Sequence, residues 1–518
     1  MKKLAVSVAG LLALTAPLAA PATASAGPPA PRVEQWRSYW VDAFNPGIYD
    51  QAQVSTLVAD AKKVGANVLI VQTGRRFDCF CNNALYPRTD AAIAPAPYDP
   101  LAEIIRQGHA AGLQVHAWIN ATTLWNSATP PTSPKHAFNQ HGPTAVGADR
   151  WLNKRVDGAE LIGANAYVDP GNPAVVDYIA DAVASVQRNY DIDGINLDYI
   201  RYPDYNTGEF SNDWGYTDVA LRRFAAETGR SDRPAPDDAT WSQWRRDQVS
   251  NLVRRVYLRM YAQDPRDRLS INGITYAYGP SYYGGFTKTR PYLNVLQDYA
   301  AWMREGYLDT VTAMNYKRNW KPDQAQMFST WNDGLRAIGG ETGRYVVSGP
   351  ALYLNSVEDS VAQAAEVTRG GMGWSGYAYA NPSQEATASS ERAVKDAQRD
   401  ALAAALTGAV FTAPAAVPRQ PWKATTGVLA GVVTVGGRPG DQVGVTVRRL
   451  GLGLWRAPGA AAAGDSRRLV SDGSGWYGAA SLTPGLYKVQ VDEPGVKTRT
   501  FVTWVGAGHL TRLDLPVR

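Results

Sequence analysis

The chain has 518 residues, 45% of them hydrophobic and 19% charged, and a formal net charge of +5. This length is too great for one ordinary domain but fits a barrel with an accessory module. The mild charge and the lack of a Lys/Arg tract argue against a nucleic-acid partner, and no stretch after the N-terminal leader approaches the roughly 20 apolar residues that span a bilayer.

The first 26 residues have the pattern of a secretory leader. Lys2 and Lys3 precede an apolar run that reaches about residue 20, and Ala24-Ser25-Ala26 provides a small-residue cleavage site. A non-cleaved anchor is the alternative, but the run is short and Pro17 interrupts it. We therefore expect cleavage near Ala26, a Pro- and Ala-rich tether over residues 27–34, and a secreted, periplasmic or cell-envelope protein.

Residues 35–406 alternate short apolar runs with segments of helical period, which predicts a (β/α)₈ TIM barrel with long loop insertions. A doubly wound open sheet is the competing fold, but Val41-Asp42-Ala43-Phe44 offers no Gly-rich phosphate-binding turn after the first strand. We expect strands at residues 37–44, 67–73, 114–121, 194–200, 268–274, 310–316, 345–354 and 373–380. We expect helices at residues 53–64, 101–111, 175–188, 293–305, 324–338 and 357–368.

Residues 407–421 form an Ala/Pro/Val linker, and the composition changes after it. Short alternating runs with turn signals over residues 422–518 predict a small β-sandwich. Its strand-like start at 427–435, the Asp472-Gly473-Ser474-Gly475-Trp476-Tyr477 turn and the Leu482-Thr483-Pro484-Gly485-Leu486-Tyr487 hairpin resemble the carboxypeptidase-regulatory or transthyretin-like sandwich. That resemblance implies a spacer or interaction module that contacts the cell wall, glycan or a protein partner.

The two cysteines, Cys79 and Cys81, are separated by one residue. They could oxidise in an exported protein, but a bridge between positions i and i+2 closes a strained ring. A Cys-x-Cys pair alone is weak evidence for a metal site. We therefore interpret the pair as a local feature of its loop.

The segment Asp193-Gly194-Ile195-Asn196-Leu197-Asp198 ends the fourth predicted barrel strand. Functional side chains of a TIM barrel come from the carboxyl ends of its strands. Strand alternation directs Ile195, Leu197 and Tyr199 toward the helices and Asn196 and Asp198 into the barrel, with Asp198 nearer the mouth. A structural Asp bonded to nearby backbone is the alternative. We expect Asp198 to belong to the functional site.

Polar and aromatic residues at the other strand ends predict a cleft that binds a polyol at the same mouth. Alternation places His116, Trp118 and Asn120 on one face of the third strand. The expected substrate-binding residues are Gln72, Arg75, His116, Trp118, Asn120, Asn196, Arg201, Tyr202, Asn315, Tyr316, Trp374 and Tyr377.

The candidate chemistry is that of carboxylates. The chain has five His without an H-x-H or H-E-x-x-H pairing and no G-x-S-x-G elbow, so we predict neither a catalytic metal nor a cofactor nor a serine nucleophile. Glycoside hydrolysis needs two carboxyl groups about 5 to 10 Å apart. Asp198 is the first candidate, with Asp169 or Asp78 as its partner, and Asp204 or Glu209 less favoured.

At these residues the chain resembles the glycosyl-hydrolase-like family 10. The similar run includes Trp40-Val41-Asp42, Val115-His116-Ala117-Trp118-Ile119-Asn120, Val168-Asp169-Pro170-Gly171-Asn172-Pro173, the segment that ends at Asp198, and Ala313-Met314-Asn315-Tyr316. The resemblance implies a TIM barrel outside the cytoplasm that acts on cell-envelope glycan, including peptidoglycan strands stripped of stem peptides. Many members have two adjacent aspartates where this chain has Asp198-Tyr199.

Two functions follow as hypotheses. The first is an exported glycoside hydrolase that cleaves a cell-envelope polysaccharide. The second is a non-catalytic glycan-binding or scaffold protein on the same barrel, because a fold does not fix a function. Tyr199 and Ile200 motivate the second, since neither supplies an additional carboxylate.

Overall fold

The computed structural model describes residues 33–451, 466–492 and 498–517; the predicted leader and most of the tether lie outside them. The strands in chain order are β1 (Val33–Glu34), β2 (Arg37–Val41), β3 (Val68–Gly74), β4 (Gln114–Asn120), β5 (Thr123–Trp125), β6 (Leu161–Ile162), β7 (Asn165–Tyr167), β8 (Gly194–Asp198), β9 (Arg268–Ile274), β10 (Thr310–Met314), β11 (Tyr345–Gly349), β12 (Gly373–Tyr377), β13 (Ala415–Ala416), β14 (Gly427–Val435), β15 (Arg438–Pro439), β16 (Gly444–Arg449), β17 (Ser466–Val470), β18 (Trp476–Leu482), β19 (Gly485–Asp492), β20 (Arg499–Val505), β21 (Leu510–Arg512) and β22 (Leu515–Val517).

The helices in chain order are α1 (Gln51–Lys63), α2 (Pro100–Ala110), α3 (Ala137–His141), α4 (Pro173–Asn189), α5 (Asp218–Thr228), α6 (Ala239–Gln263), α7 (Pro280–Tyr283), α8 (Arg290–Asn294), α9 (Tyr299–Glu305), α10 (Pro322–Thr342), α11 (Val357–Arg369), α12 (Gln384–Ala388), α13 (Arg392–Ala409) and α14 (Pro421–Thr425). None of the helices in these described ranges is long and apolar enough to cross a membrane.

Eight parallel strands close into a barrel in the order β10-β11-β12-β2-β3-β4-β8-β9. All eight predicted barrel strands are confirmed, and closure of the sheet rules out the open doubly wound alternative. Several strands end earlier than predicted. The first ends at Val41 because the Asp42 carboxylate accepts hydrogen bonds from the backbone N–H groups of Phe44 and Asn45 and turns the chain.

Alternation along the strands divides the barrel core into two layers. Val68 and Ile70 pack inside the barrel with Trp36, Trp40 and Trp118. Their neighbours Leu69 and Val71 pack outward against the helices. Gly349 is required inside the barrel, because a Cβ at that position would lie 2.2 Å from the Trp40 ring.

One predicted helix differs in the structure. The single helix expected at residues 293–305 is two helices, α8 and α9, separated by a turn in which Leu296 has a φ of 56°. The side-chain carbonyl of Gln297 in this turn accepts a hydrogen bond from the Ile274 N–H at 2.8 Å. The turn therefore satisfies the backbone at the end of β9 and cannot continue the helix.

The C-terminal part of the described chain is the expected β-sandwich. One sheet has the order β15-β14-β18, with β21 and β22 also pairing with β14, and the other has the order β17-β16-β19-β20. Leu429 and Tyr477 of the first sheet pack against Val447 and Val489 of the second. The resemblance of this sandwich to a named family stays an expectation.

The sandwich and the segment before it are attached to the barrel by buried polar contacts. The guanidinium of Arg255 in α6 lies 2.5 Å from Asp472 in the sandwich. Within residues 407–421, Ala415 and Ala416 pair with β1, while Lys423 in α14 lies 2.8 Å from Asp309 below β10. The accessory module is therefore held against the barrel wall and floor.

Candidate functional site

Asp198 ends β8 at the mouth of the barrel. Its Oδ1 accepts hydrogen bonds from the Tyr199 N–H at 2.6 Å and from Arg201 Nη1 at 3.1 Å. Only 7% of the side chain is exposed. Oδ2 accepts no hydrogen bond from the described residues, and it is not fully enclosed. The second oxygen is thus open to the mouth while the first is fixed.

Tyr199 departs from the alternation expected of this strand. Its φ of 47° lies in the left-handed region and ends β8, so the prediction that the side chain faces the helices is wrong. The Tyr199 ring instead lies 4.2 Å from the Arg201 guanidinium. Burial alone would lower the pKa of Arg201, but the charges of Asp198 and the nearby tyrosines outweigh it and raise that pKa. Arg201 is therefore a fixed cation beside Asp198.

Aromatic rings form the wall of the mouth between β10 and β2. Tyr316 and Tyr377 stack with their centroids 5.0 Å apart, and Trp40 meets both rings edge-on. Trp118 lies 6.5 Å from Tyr377 on the next side. The predicted placement of Trp118, Tyr316 and Tyr377 near one another is what the structure shows. Such rings offer flat faces to the C–H face of a pyranose.

A chain of amides follows along β3 and β4. Asn120 Oδ1 accepts from Trp118 Nε1 at 3.0 Å and from Gln72 Nε2 at 3.4 Å. The Asn120 amide donates to the Arg75 carbonyl, and the Arg75 guanidinium lies 4.0 Å from the half-exposed Phe44 ring. Gln72, Arg75 and Asn120 are brought together as expected, and they hold the loop that follows β3.

Asp42 is a mouth residue that the sequence interpretation missed. Its Oδ1 accepts three hydrogen bonds, from the Phe44 and Asn45 N–H groups and the Asn45 amide, while Oδ2 has no bonded partner among the described residues and is not enclosed. Burial, followed by the negative charges of Asp42 and Asp198, raises the pKa of Tyr377. Both carboxylates therefore act on one phenol, from β2 and from β8.

The two predicted carboxylate partners of Asp198 lie in enclosed positions. Asp169 is 1% exposed and accepts hydrogen bonds from the Gly171 N–H, the Tyr202 hydroxyl and the Thr217 hydroxyl. Tyr202 is itself fully buried by this contact. Burial raises the pKa of Asp169. Neither Asp169 nor Tyr202 reaches the mouth, and both secure the chain that follows Asp198.

Asp78 is likewise enclosed within the loop after β3. It accepts hydrogen bonds from the Arg76 N–H and the Thr89 hydroxyl and is 2% exposed. The same loop contains a disulfide between Cys79 and Cys81, the state that the strain argument disfavoured. Their Cα atoms are 5.0 Å apart, a separation that ordinary disulfides span.

Besides Tyr202, four expected binding residues lie away from the open mouth. His116 is enclosed lower in the barrel against Trp36, where burial and the Arg268 charge lower the pKa of His116 well below its usual range. Asn196 donates to the Ser270 hydroxyl within the barrel.

Trp374 and Asn315 point out of the barrel. Trp374 packs outward between Tyr39 and Phe411, with ring centroids 5.7 and 5.4 Å away. Asn315 donates to the Phe328 carbonyl in α10. Residues of a strand that are one or three positions apart face opposite sides. Tyr316, next to Asn315, and Tyr377, three positions after Trp374, therefore occupy the mouth positions instead.

The long loop after β8 adds a third acidic group. Asp204 is exposed, accepts a hydrogen bond from the Tyr276 hydroxyl, and contributes to the raised pKa of Arg201. Glu209 is exposed farther along this loop. Within the described ranges, no group of three or more His, Cys, Asp or Glu side chains converges to hold a metal ion.

A family model and several curated proteins match this chain. A family model described as glycosyl hydrolase-like 10 matches residues 35–333. Glycosyl hydrolase YngK of Bacillus subtilis (strain 168) is 26% identical over 269 residues, which cover 50% of this chain and 48% of that protein. Glycosyl hydrolase DigH of Escherichia coli (strain K12) is 24% identical over 223 residues, which cover 42% and 46%. The chain thus spans about half the length of these curated relatives.

A solved structure shares the fold. The catalytic domain of the β-amylase of Paenibacillus polymyxa superposes with a TM-score of 0.52 at 13% identity, over 74% of this chain and 99% of that domain. At this identity the likeness extends to the barrel architecture alone.

Proposed function

The chain belongs to the glycosyl hydrolase-like 10 family, and from this premise we propose that its barrel mouth hydrolyses glycosidic bonds in a cell-envelope polysaccharide. The observation that carries the proposal is the pair Asp198 and Asp42. Each has one oxygen fixed by hydrogen bonds and one open oxygen, and both act on Tyr377. Glycoside hydrolysis needs one carboxyl group on each side of the scissile bond, and these two carboxylates lie at the same end of the barrel as the aromatic rings.

The surroundings divide the two roles. Asp198 is paired with the Arg201 guanidinium, whose charge-assisted hydrogen bond orients the carboxylate. This arrangement suits a base that activates water or a nucleophile that attacks the anomeric carbon. Asp42 has no ion pair with a described residue and its Oδ2 accepts no hydrogen bond from one, so we assign it the remaining role, proton donation from that oxygen to the leaving group.

The remaining mouth residues bind and orient the sugar. Tyr316 and Tyr377 present a stacked aromatic surface, and Arg75 with Phe44 forms a second side. The protein acts outside the cytoplasmic membrane in this proposal, which rests on the leader pattern of residues 1–26. Glycan strands of the bacterial wall that lack stem peptides are the first substrate to test.

The test is release of reducing ends from purified glycan strands by the mature chain and by Asp198→Asn, Asp42→Asn and Asp204→Asn. We expect the first two variants to lose at least about a hundredfold in rate, the scale of a general acid or base. Glu209→Gln is the matched control, because Glu209 is exposed in the same loop without a hydrogen bond to another described residue. Full activity in Asp198→Asn would refute the assignment, and loss in Asp204→Asn with full activity in Asp42→Asn would move the acid to Asp204.

A glycan-binding protein without catalysis is the second candidate. It is favoured by Tyr199, which fills the position after Asp198 with a half-buried phenol rather than an acid. Saturable binding of the same glycan strands with no product after long incubation, unchanged in Asp42→Asn, would support this candidate and exclude hydrolysis.

If the protein hydrolyses the strands, the anomeric configuration of the first product, followed by NMR, would separate retention from inversion.

A further inference from the structure

The sheet β17-β16-β19-β20 of the sandwich has one face in the core and one in solvent. Val445, Val447, Tyr487 and Val489 point into the core. The alternate residues of the same four strands point the other way, and all of them are half-buried or exposed. We call these residues the outer face: Gly444, Thr446, Arg448, Ser466, Arg468, Val470, Leu486, Lys488, Gln490, Asp492, Thr500, Val502 and Trp504.

Three cations lie together on the outer face. Arg448 is directly opposite Lys488 on the neighbouring strand, and Arg468 is opposite Thr446 on the other side. Adjacent strands are about 4.8 Å apart, so the three side chains share one patch. None of the three has a hydrogen bond or ion pair with another described residue. Asp492 lies at the edge of this patch, and its carboxylate already accepts from the Thr446 hydroxyl.

An apolar strip borders the cations. Trp504 is 58% exposed and Val502 is 56% exposed, although both belong to a well-formed strand. Leu486 is opposite Trp504, and Lys488 is opposite Val502. Single exposed apolar residues are ordinary, but a contiguous apolar strip beside unpaired cations is typical of a binding surface.

The outer face does not serve the attachment to the barrel. Those contacts come from the other sheet and its turns, such as Ser481 with Arg344 and Asp441 with Arg223. In the four-stranded sheet itself, Arg467 reaches the barrel at the Glu305 carbonyl, and it belongs to the opposite face from Arg468. Among the described residues the outer face makes no contact that attaches the sandwich, although Arg468 and Val470 at its edge also line a cavity shared with Glu305 of the barrel.

We propose that the outer face binds an acidic polysaccharide. A flat sheet accepts an extended chain, the Trp504 indole packs against the C–H face of a pyranose, and the three cations meet carboxylates on successive sugars. Three cations are few for a nucleic acid, whose binding is dominated by many phosphate contacts. The apolar strip is also small for insertion into a bilayer. The site is separate from the barrel mouth and does not depend on hydrolysis there.

The test measures binding of the mature chain to polygalacturonate and to its fully methyl-esterified form, which has the same backbone without the charges. We expect binding to the acidic form that weakens as salt rises from about 0.05 to 0.5 M. Arg448→Gln/Arg468→Gln/Lys488→Gln should bind about tenfold more weakly, and Trp504→Ala about three- to tenfold more weakly. Both outer-face variants should keep the melting temperature of the parent, because the substituted side chains make no contact in the sandwich core.

The matched control is Lys62→Gln/Arg188→Gln/Arg438→Gln, which removes the same charge from exposed residues elsewhere. Equal weakening in this control would show a net-charge effect and overturn the proposal. Equal affinity for the esterified polymer, or unchanged binding in the two outer-face variants, would also overturn it. Tighter binding to duplex DNA or to phosphatidylglycerol vesicles, lost in the same variants, would assign the face to another polyanion and exclude the polysaccharide.

Discussion

Asp309 provides a quantitative test of how the chain is attached below the barrel. It is fully buried, 2.8 Å from Lys423 Nζ and 3.6 Å from Arg344 Nη1, and it accepts from Trp422 Nε1 at 2.8 Å. Asp309→Asn keeps the shape but leaves two buried cations without their anion. Breaking a buried ion pair from one side costs about 3–5 kcal/mol, and we expect that loss in the free energy of unfolding near pH 7.

The pH dependence gives the loss a direction. Burial alone would raise the pKa of Asp309, but the charges of Lys423 and Arg344 with the hydrogen bonds hold it below the usual value. A carboxyl whose pKa is lower in the folded state stabilises the fold above its unfolded pKa, about 3.9, and this contribution is lost as the pH falls through the folded pKa. The difference between parent and variant should therefore be full at pH 7 and shrink below about pH 4.

Urea unfolding followed by tryptophan fluorescence measures the effect where the transition is single. Asp400→Asn is the control, because Asp400 pairs with Lys63 on the surface with side chains 57% and 51% exposed. Adding Lys423→Met to Asp309→Asn should restore part of the loss by removing a stranded charge. A loss in Asp309→Asn no larger than in Asp400→Asn would refute this account of the floor contact.

Three further predictions concern buried groups. Burial raises the pKa of Glu227 to about 7, so the folded state binds the proton more tightly and parent stability falls as the pH rises from about 4.5 to 7; Glu227→Gln should raise the melting temperature at pH 8 but not at pH 4. Burial lowers the pKa of Lys317 to about 8, so the stability of the parent rises between pH 8 and about 10.5. Lys317→Met should therefore be more stable than the parent at pH 7, and this advantage should shrink toward pH 10. An equal gain in Lys62→Met, a control at an exposed site, would contradict this explanation. Trp374→Ala should lower the free energy of unfolding by about 3–5 kcal/mol and leave the rate per folded molecule unchanged, because the Trp374 ring packs on the helix side of β12. A selective rise in KM would instead show that Trp374 contacts the substrate.

The barrel was predictable because apolar runs of strand length recur between helical segments. The strand β9 was predicted at its observed bounds, Arg268–Ile274. The helix α6 was not predicted, because Arg245, Arg246 and Arg255 are buried in it and erase the polar stripe by which a surface helix is recognised. The groups that bind these guanidiniums are distant in sequence, such as the Trp214 carbonyl for Arg245 and the Asp472 carboxylate for Arg255, and local patterns do not reveal them.

Part of the site was also within reach of the sequence. Alternation along one strand correctly placed Trp118 and Asn120 together, but the same rule applied to β12 separates Trp374 from Tyr377, which are three positions apart. Asp42 was missed because the first strand was extended to Phe44, which hid the residue at its true end. The left-handed turn at Tyr199 could not be anticipated, since a non-glycine residue rarely adopts a positive φ.

Asp169 shows why an acid that matters for activity need not touch the substrate. It accepts a hydrogen bond from the Tyr202 hydroxyl, and the Thr122 hydroxyl donates to the carbonyls of Tyr199 and Arg201. These hydrogen bonds fix the chain that follows β8. Arg201, which belongs to that chain, donates to Oδ1 of Asp198 and so orients the carboxylate. Asp169→Asn and Asp198→Asn should therefore both lower the melting temperature and the rate, since the second leaves the buried Arg201 guanidinium without its anion. Added formate, which can replace a missing carboxylate, should restore part of the rate in Asp198→Gly and none in Asp169→Gly. Loss of activity alone cannot distinguish the two residues, because a positioning residue and a reacting residue fail in the same assay and differ only in what else changes.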